Sequence, residues 1–408
     1  MVAGPRDNGL RFFEDRGTEN GVPTIDPVGT CDTKIWNRAK GNLTMHHWKW
    51  FLLGACCLLE IVQTVIAVEP VTIQQTIRRE LSNVELSQVF TGRSQDHVKE
   101  WQSSFGTNLQ ELLGPTEPPK QWQTVIENGK RFDDHIRYQI TLTAEGVPAL
   151  PLYLLVPSNG NLKPKPAVVA VHGHGPYGHH AVAGRDDLPG VAAAITKANY
   201  DYGRQFVRRG YVVAVPCMIP FGDRVDAEKY SSDPCAVSLV RLLALGKLPI
   251  AENVRDLRWA VSFLQSRSEV EAKLIGCAGL SYGGRMTMLV TAVDHRIKVA
   301  AVSGALNLMQ ERLSQRYSCG AQIIPRLLQY GDYSEIGGLI APRPCVWQMG
   351  SEDALVVKNG WDTKFKQRLQ RVYKAAGVSD NLHLDHFQGG HRWNGDVAFK
   401  VFDAVLQK

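Results

Sequence analysis

Six consecutive residues, Gly279-Leu280-Ser281-Tyr282-Gly283-Gly284, constrain this chain more than any other segment. An apolar run at 274–278 precedes them, and residues 285–290 read as the start of a helix. Strand, sharp turn and helix in that order, with Gly-x-Ser-x-Gly at the turn, make a nucleophile elbow. The glycines are needed because side chains there would collide with neighbouring backbone in so tight a turn. The strain lifts the Ser281 hydroxyl out of the sheet, beside the N-terminus of the next helix.

A neutral serine hydroxyl is a poor nucleophile and needs a base, an orienting acid and an oxyanion hole. On this kind of elbow the partners follow in the order Ser, acid, His. The next strand-like run, 298–302, has no acid at its end. The one after it, 344–349, leads into Gly350-Ser351-Glu352-Asp353, so Asp353 is the expected acid and Glu352 the alternative. The alternating run 382–387 ends in Gln388-Gly389-Gly390-His391, which makes His391 the expected base. His383 and His386 fall inside the strand pattern and read as structural. Upstream, the β-rich run 167–171 is followed at once by His172-Gly173-His174-Gly175. The backbone N–H groups of Tyr282 and His174 are the expected oxyanion donors. The His172 side chain is a candidate substrate contact, with an ordinary loop role as the alternative. His172, His174, His179 and His180, with Asp186 and Asp187 nearby, invite a metal. No Cys spacing or His-Glu-x-x-His pattern supports one, and neither a metal nor another cofactor is expected.

The chain has 408 residues, 44% hydrophobic and 21% charged, enough for one large α/β domain with an extension. A net charge of +6 without a Lys/Arg run gives no case for a nucleic-acid partner. Residues 1–44 are polar, Gly-rich and aperiodic, and read as a disordered or upstream over-extended segment. From Met45 a short basic start, an apolar stretch to Val68 and the small-residue end Val65-Ile66-Ala67 read as a signal peptide at 45–67, so an exported protein is expected. An uncleaved anchor at 51–68, a lipobox-like Leu53-Gly54-Ala55-Cys56 and a buried core helix are the competing readings. Export would permit disulfides, but Cys217, Cys235, Cys277, Cys319 and Cys345 are odd in number and no Cys-x-x-Cys occurs. Residues 68–130 read as a helical arm. From about 131 strands alternate with helices, as in a doubly wound, mostly parallel sheet.

The region 138–408 resembles the α/β-hydrolases of the dienelactone-hydrolase-like and acetylxylan-esterase-like kind. The carrying pieces are 172–175, Pro220-Phe221-Gly222-Asp223-Arg224, the elbow with Gly284-Arg285, 339–344 and Gly389-Gly390-His391-Arg392-Trp393, in the family's order. The resemblance implies a serine hydrolase with Ser281, Asp353 and His391 as its triad, acting on a small-molecule or polysaccharide ester. Trp393 is then a candidate platform for a sugar ring, with a core aromatic as the alternative. Small dienelactone hydrolases use cysteine where this chain has Ser281. The Tyr after Ser also resembles prolyl-oligopeptidase-type peptidases, whose large β-rich domain has no counterpart here. A peptidase and a non-catalytic binding scaffold are the alternative functions.

Overall fold

The computed structural model describes residues 71–407 apart from 159–162, 226–232 and 358–359. The segments read as extension, leader and lipobox lie outside the described residues. Among the described residues, nine strands form one sheet: β1 (Gln123–Arg131), β2 (His135–Ala144), β3 (Val147–Pro157), β4 (Lys165–Val171), β5 (Val212–Pro216), β6 (Val270–Leu280), β7 (Ile297–Ser303), β8 (Cys345–Gly350) and β9 (Leu382–Phe387). Their order is β1-β2-β3-β5-β4-β6-β7-β8-β9. The first three form an antiparallel meander that joins β5 antiparallel, and β5 through β9 run parallel.

The parallel strands read as continuous Val/Ala/Ile runs because both faces are covered. Alternate residues of β4 make this visible: Ala167, Val169 and Val171 enter one core, Val168 and Ala170 the other. On the first face lie helices Gln95–Leu113, Pro249–Gln265 and Tyr282–Val293; on the second lie Tyr202–Arg208 and Asp396–Leu406. Helix Gln95–Leu113 starts where the Ser94 hydroxyl accepts the His97 N–H, and Gly114 at φ 73° follows its last residue. It buries Val98, Phe105, Leu109 and Leu113. Helix Ile73–Asn83 buries no residue.

The arm expected at 68–130 therefore contains two helices, but its last stretch is β1. All nine residues of that strand are exposed, so no apolar alternation marks it. Among the described residues, no single helix is long and apolar enough to cross a membrane. The loops carrying His172, Ser281, Asp353 and His391 all leave the C-terminal ends of parallel strands, the edge where open α/β sheets gather their ligands.

Candidate active site

β6 ends at Leu280, and Ser281 stands between strand and helix at φ 63° and ψ −121°. That backbone region is disfavoured for any residue with a Cβ and costs on the order of 1–3 kcal/mol. The surroundings impose it. The Ser281 N–H donates to Ser303 O at 2.8 Å. A Cβ on Gly283 would lie 1.9 Å from Val171 O, and one on Gly279 would lie 2.4 Å from Gly283 O. Both glycines of the motif are thus demanded by close backbone approach. The Ser281 hydroxyl makes no hydrogen bond among the described residues, and the helix Tyr282–Val293 begins immediately after it.

Asp353 sits three residues past β8 and is 1% exposed. Its Oδ1 accepts the Leu355 N–H at 2.8 Å, and its Oδ2 lies 2.7 Å from His391 Nδ1. His391 Nε2 is buried without a hydrogen-bond partner among the described residues. The imidazole rests over Gly304, where a Cβ would meet Cε1 at 2.7 Å and Nδ1 at 3.0 Å. Gly304 follows Ser303, which pairs with Leu280, so the ring lies beside the elbow. Glu352 points elsewhere: it is exposed, and its Oε1 accepts from Gln388 Nε2 at 2.8 Å. The loops after β8 and β9 are joined by backbone bonds, Ser351 N–H to Phe387 O (2.9 Å) and Glu352 N–H to Gly389 O (2.8 Å). A Cβ on Gly350 would lie 2.3 Å from both Gly389 O and Gly390 O.

The His172–Gly175 loop approaches the elbow from β4. A Cβ on Gly173 would lie 2.7 Å from Leu280 O and 3.1 Å from Ser281 Cβ. The Gly173 N–H is taken by the Tyr200 hydroxyl at 2.6 Å, so His174 supplies the next N–H along this loop. Tyr200 carries no sequence signal for this part. The Tyr282 hydroxyl accepts from Asn253 Nδ2 at 2.8 Å, and Asn253 also exchanges two bonds with the backbone of Ile219. These contacts fix the residue whose N–H stands at the helix N-terminus.

Two expected substrate contacts are corrected. His172 is fully buried: its Nδ1–H donates to Gly173 O at 2.9 Å and its Nε2 accepts the Met218 N–H at 2.9 Å. Burial pushes its pKa down to about 3, so it is a neutral strut between two loops. Trp393 is also fully buried, stacked on Tyr202 with ring centroids 4.8 Å apart, and cannot meet a sugar.

The dense histidine cluster separates into different environments. His180 bridges the Tyr153 hydroxyl (3.0 Å) and Asp223 (3.0 Å), and His179 also reaches Asp223 (3.3 Å). Both histidines hold the Asp223 carboxyl well below its ordinary range, while burial lowers His179 to about 4. Asp186 pairs with Arg204 and Asp187 with Arg185, each at 2.8 Å. Among the described residues, two groups have ligand atoms close enough for a metal ion: His179, His180 and Asp223, in which both histidines reach the carboxylate, and His174, Cys235 and Cys319.

Residues 185–320, which include the elbow and end before Asp353, match the dienelactone hydrolase family. A protein assigned as a hydrolase, YtaP of Bacillus subtilis, is 28% identical over 271 residues, 64% of this chain and 83% of that one. Among solved structures, a protein assigned as an acetyl xylan esterase from Bacteroides fragilis superposes with a TM-score of 0.65 at 19% identity, covering 78% of this chain and 82% of its own. A CE15 glucuronoyl esterase from Teredinibacter turnerae gives a TM-score of 0.56 at 17% identity, covering 79% and 89%. The chain is thus an enzyme of the α/β-hydrolase fold that carries a dienelactone-hydrolase-family segment at 185–320.

Proposed function

We propose that the chain is an exported serine esterase acting on acylated or esterified carbohydrate. The observation that carries the chemistry is the pairing of a strained Ser281, whose hydroxyl makes no hydrogen bond among the described residues, with a His391 whose Nδ1 is held by Asp353 and whose Nε2 has no partner among them. In this reading Ser281 Oγ attacks the ester carbonyl while its proton passes to His391 Nε2. Asp353 keeps the tautomer with Nδ1 protonated and stabilises the imidazolium. The N–H groups of Tyr282 and His174 receive the oxyanion. Collapse expels the alcohol, which takes the proton from His391, and water hydrolyses the acyl-enzyme by the same steps. The carbohydrate class is supported by the acetyl xylan and glucuronoyl esterase neighbours, and export by the leader-like segment ending at Ala67.

The experiment combines a covalent trap with a substrate panel. A fluorophosphonate should add to Ser281 in the wild type and not in Ser281→Ala, and acetylated xylan and nitrophenyl acetate should turn over much faster than aminoacyl nitroanilides. A nitroanilide kcat/KM equal to that for nitrophenyl acetate overturns the esterase reading. Labelling of another residue overturns the assignment of Ser281.

A further inference from the structure

His174, Cys235 and Cys319 come from three separate parts of the chain: the loop after β4, the start of helix Pro234–Ala244, and the turn before Ala321. Their ligand atoms all lie within 4.8 Å of one another. The two thiols are free rather than joined in a disulfide. Nitrogen and sulfur ligands around one tetrahedral zinc-class ion stand about 3.5–3.8 Å apart. The three groups are therefore near the spacing at which a single ion touches all of them.

The surroundings hold them there. Asp233 caps the helix by accepting the Ala236 N–H at 3.1 Å, and the Tyr317 hydroxyl donates to the same carboxylate at 2.9 Å. Gly320 has no side chain where a Cβ would lie 2.5 Å from Leu239 Cδ2, which lets the 319–322 turn close onto the helix. The His174 ring is wedged edge-on against Tyr282 and Phe221, at 5.0 and 5.3 Å between centroids. Cys235 is buried, Cys319 half-buried and His174 exposed, so the cluster opens to water on the histidine side.

We propose that His174, Cys235 and Cys319 form a binding site for one thiophilic divalent cation of the zinc class, beside the Ser281 elbow. The ion takes two thiolates and one imidazole nitrogen, with water in the fourth position, and binding releases the two thiol protons. It ties the helix Pro234–Ala244 and the 319–322 turn to the His174 loop. Binding is independent of the esterase reading, since none of the three side chains takes part in the proposed acyl transfer. The sequence expectation of no metal rested on spacing along the chain, and positions 174, 235 and 319 leave no such signature.

Cobalt(II) titration of the reduced full-length protein tests this. The expected result is a one-to-one end point with a near-ultraviolet thiolate-to-cobalt band and visible bands of a tetrahedral ion. Cys319→Ser should abolish the thiolate band at that end point. His174→Gln, at an exposed position, should weaken binding at least about tenfold. Zinc should raise the Tm of the wild type and leave that of Cys319→Ser unchanged, and a cooperative melt of each variant reports that it is folded. Absence of a thiolate band in the reduced wild type overturns the proposal, as does an unchanged band in Cys319→Ser. A Cys235–Cys319 disulfide in the freshly isolated protein, found by non-reducing peptide mapping, also overturns it.

Discussion

Asp353→Asn is the sharpest probe of the acid assignment, because both carboxylate oxygens are engaged and an amide can satisfy only one of their duties. Oδ1 accepts the Leu355 N–H and Oδ2 faces His391 Nδ1. If the Asn oxygen keeps Leu355, its NH2 donates to Nδ1. The imidazole then carries its proton on Nε2 and cannot accept one from Ser281. If the amide flips, the catalytic tautomer is restored but NH2 meets the Leu355 N–H, an unsatisfied contact worth about 1–3 kcal/mol. Reaction proceeds through this minor orientation. It also loses the charge-assisted bond to the imidazolium, which differs from a neutral one by about 1–2 kcal/mol. The sum, about 2–5 kcal/mol, corresponds to a fall in kcat of roughly 30- to 5,000-fold. The major orientation keeps both hydrogen bonds, so the Tm should stay near that of the wild type. Steady-state hydrolysis of nitrophenyl acetate with parallel thermal melts checks both halves. A loss below tenfold, or an equal loss in Glu352→Gln, refutes the assignment.

His391→Ala should lower kcat by about 10⁴ or more, as Ser281→Ala should, because the members act as one unit; a loss of only tenfold in either would count against the reading. Burial holds His172 near 3 and His179 near 4 against 6.5 unfolded, so the unfolded chain takes up these protons first. The stability they contribute is fully present above about pH 6.5 and lost as pH falls toward 4, by up to about 2.7 kcal/mol per unit; an unchanged urea midpoint between pH 7 and 5 would contradict this. Gly283→Ala should fail to give soluble protein, since its Cβ would lie 1.9 Å from Val171 O, whereas Gly106→Ala, with nothing within 4 Å, should gain about 0.5–1 kcal/mol in denaturant titrations. Mass spectrometry of exported protein should find an N-terminus near Val68, and an intact chain would favour the anchor.

The elbow was legible because its requirements are local: a strand, a helix and glycines where backbones nearly touch all sit within one short window. The parallel strands were legible because burial on both faces leaves continuous apolar runs. β1 was not, since an edge strand exposed on every residue has no pattern to show. His172 and Trp393 misled for another reason. Each lies two residues from a member of the site along the chain, but nearby side chains point in different directions, and theirs point into the core. Tyr200, Gly304 and the Cys235–Cys319 pair acquire their places only through contacts distant in sequence, which one-dimensional spacing does not record.

The backbone seam between the loops after β8 and β9 bears on how this scaffold can diversify. Asp353 lies three residues beyond its strand and His391 four beyond its own, and Gly350 lets the two loops pass in contact. An insertion in either would prise acid from base, so their lengths are locked together. The connections from β5 to the helix at Pro249 and from β7 to β8 run to some thirty or forty residues and, among the described residues, share no backbone bond with each other. Lineages of this enzyme that acquire new substrates should therefore vary in length at 217–248 and 304–344 while both short loops keep their residue count.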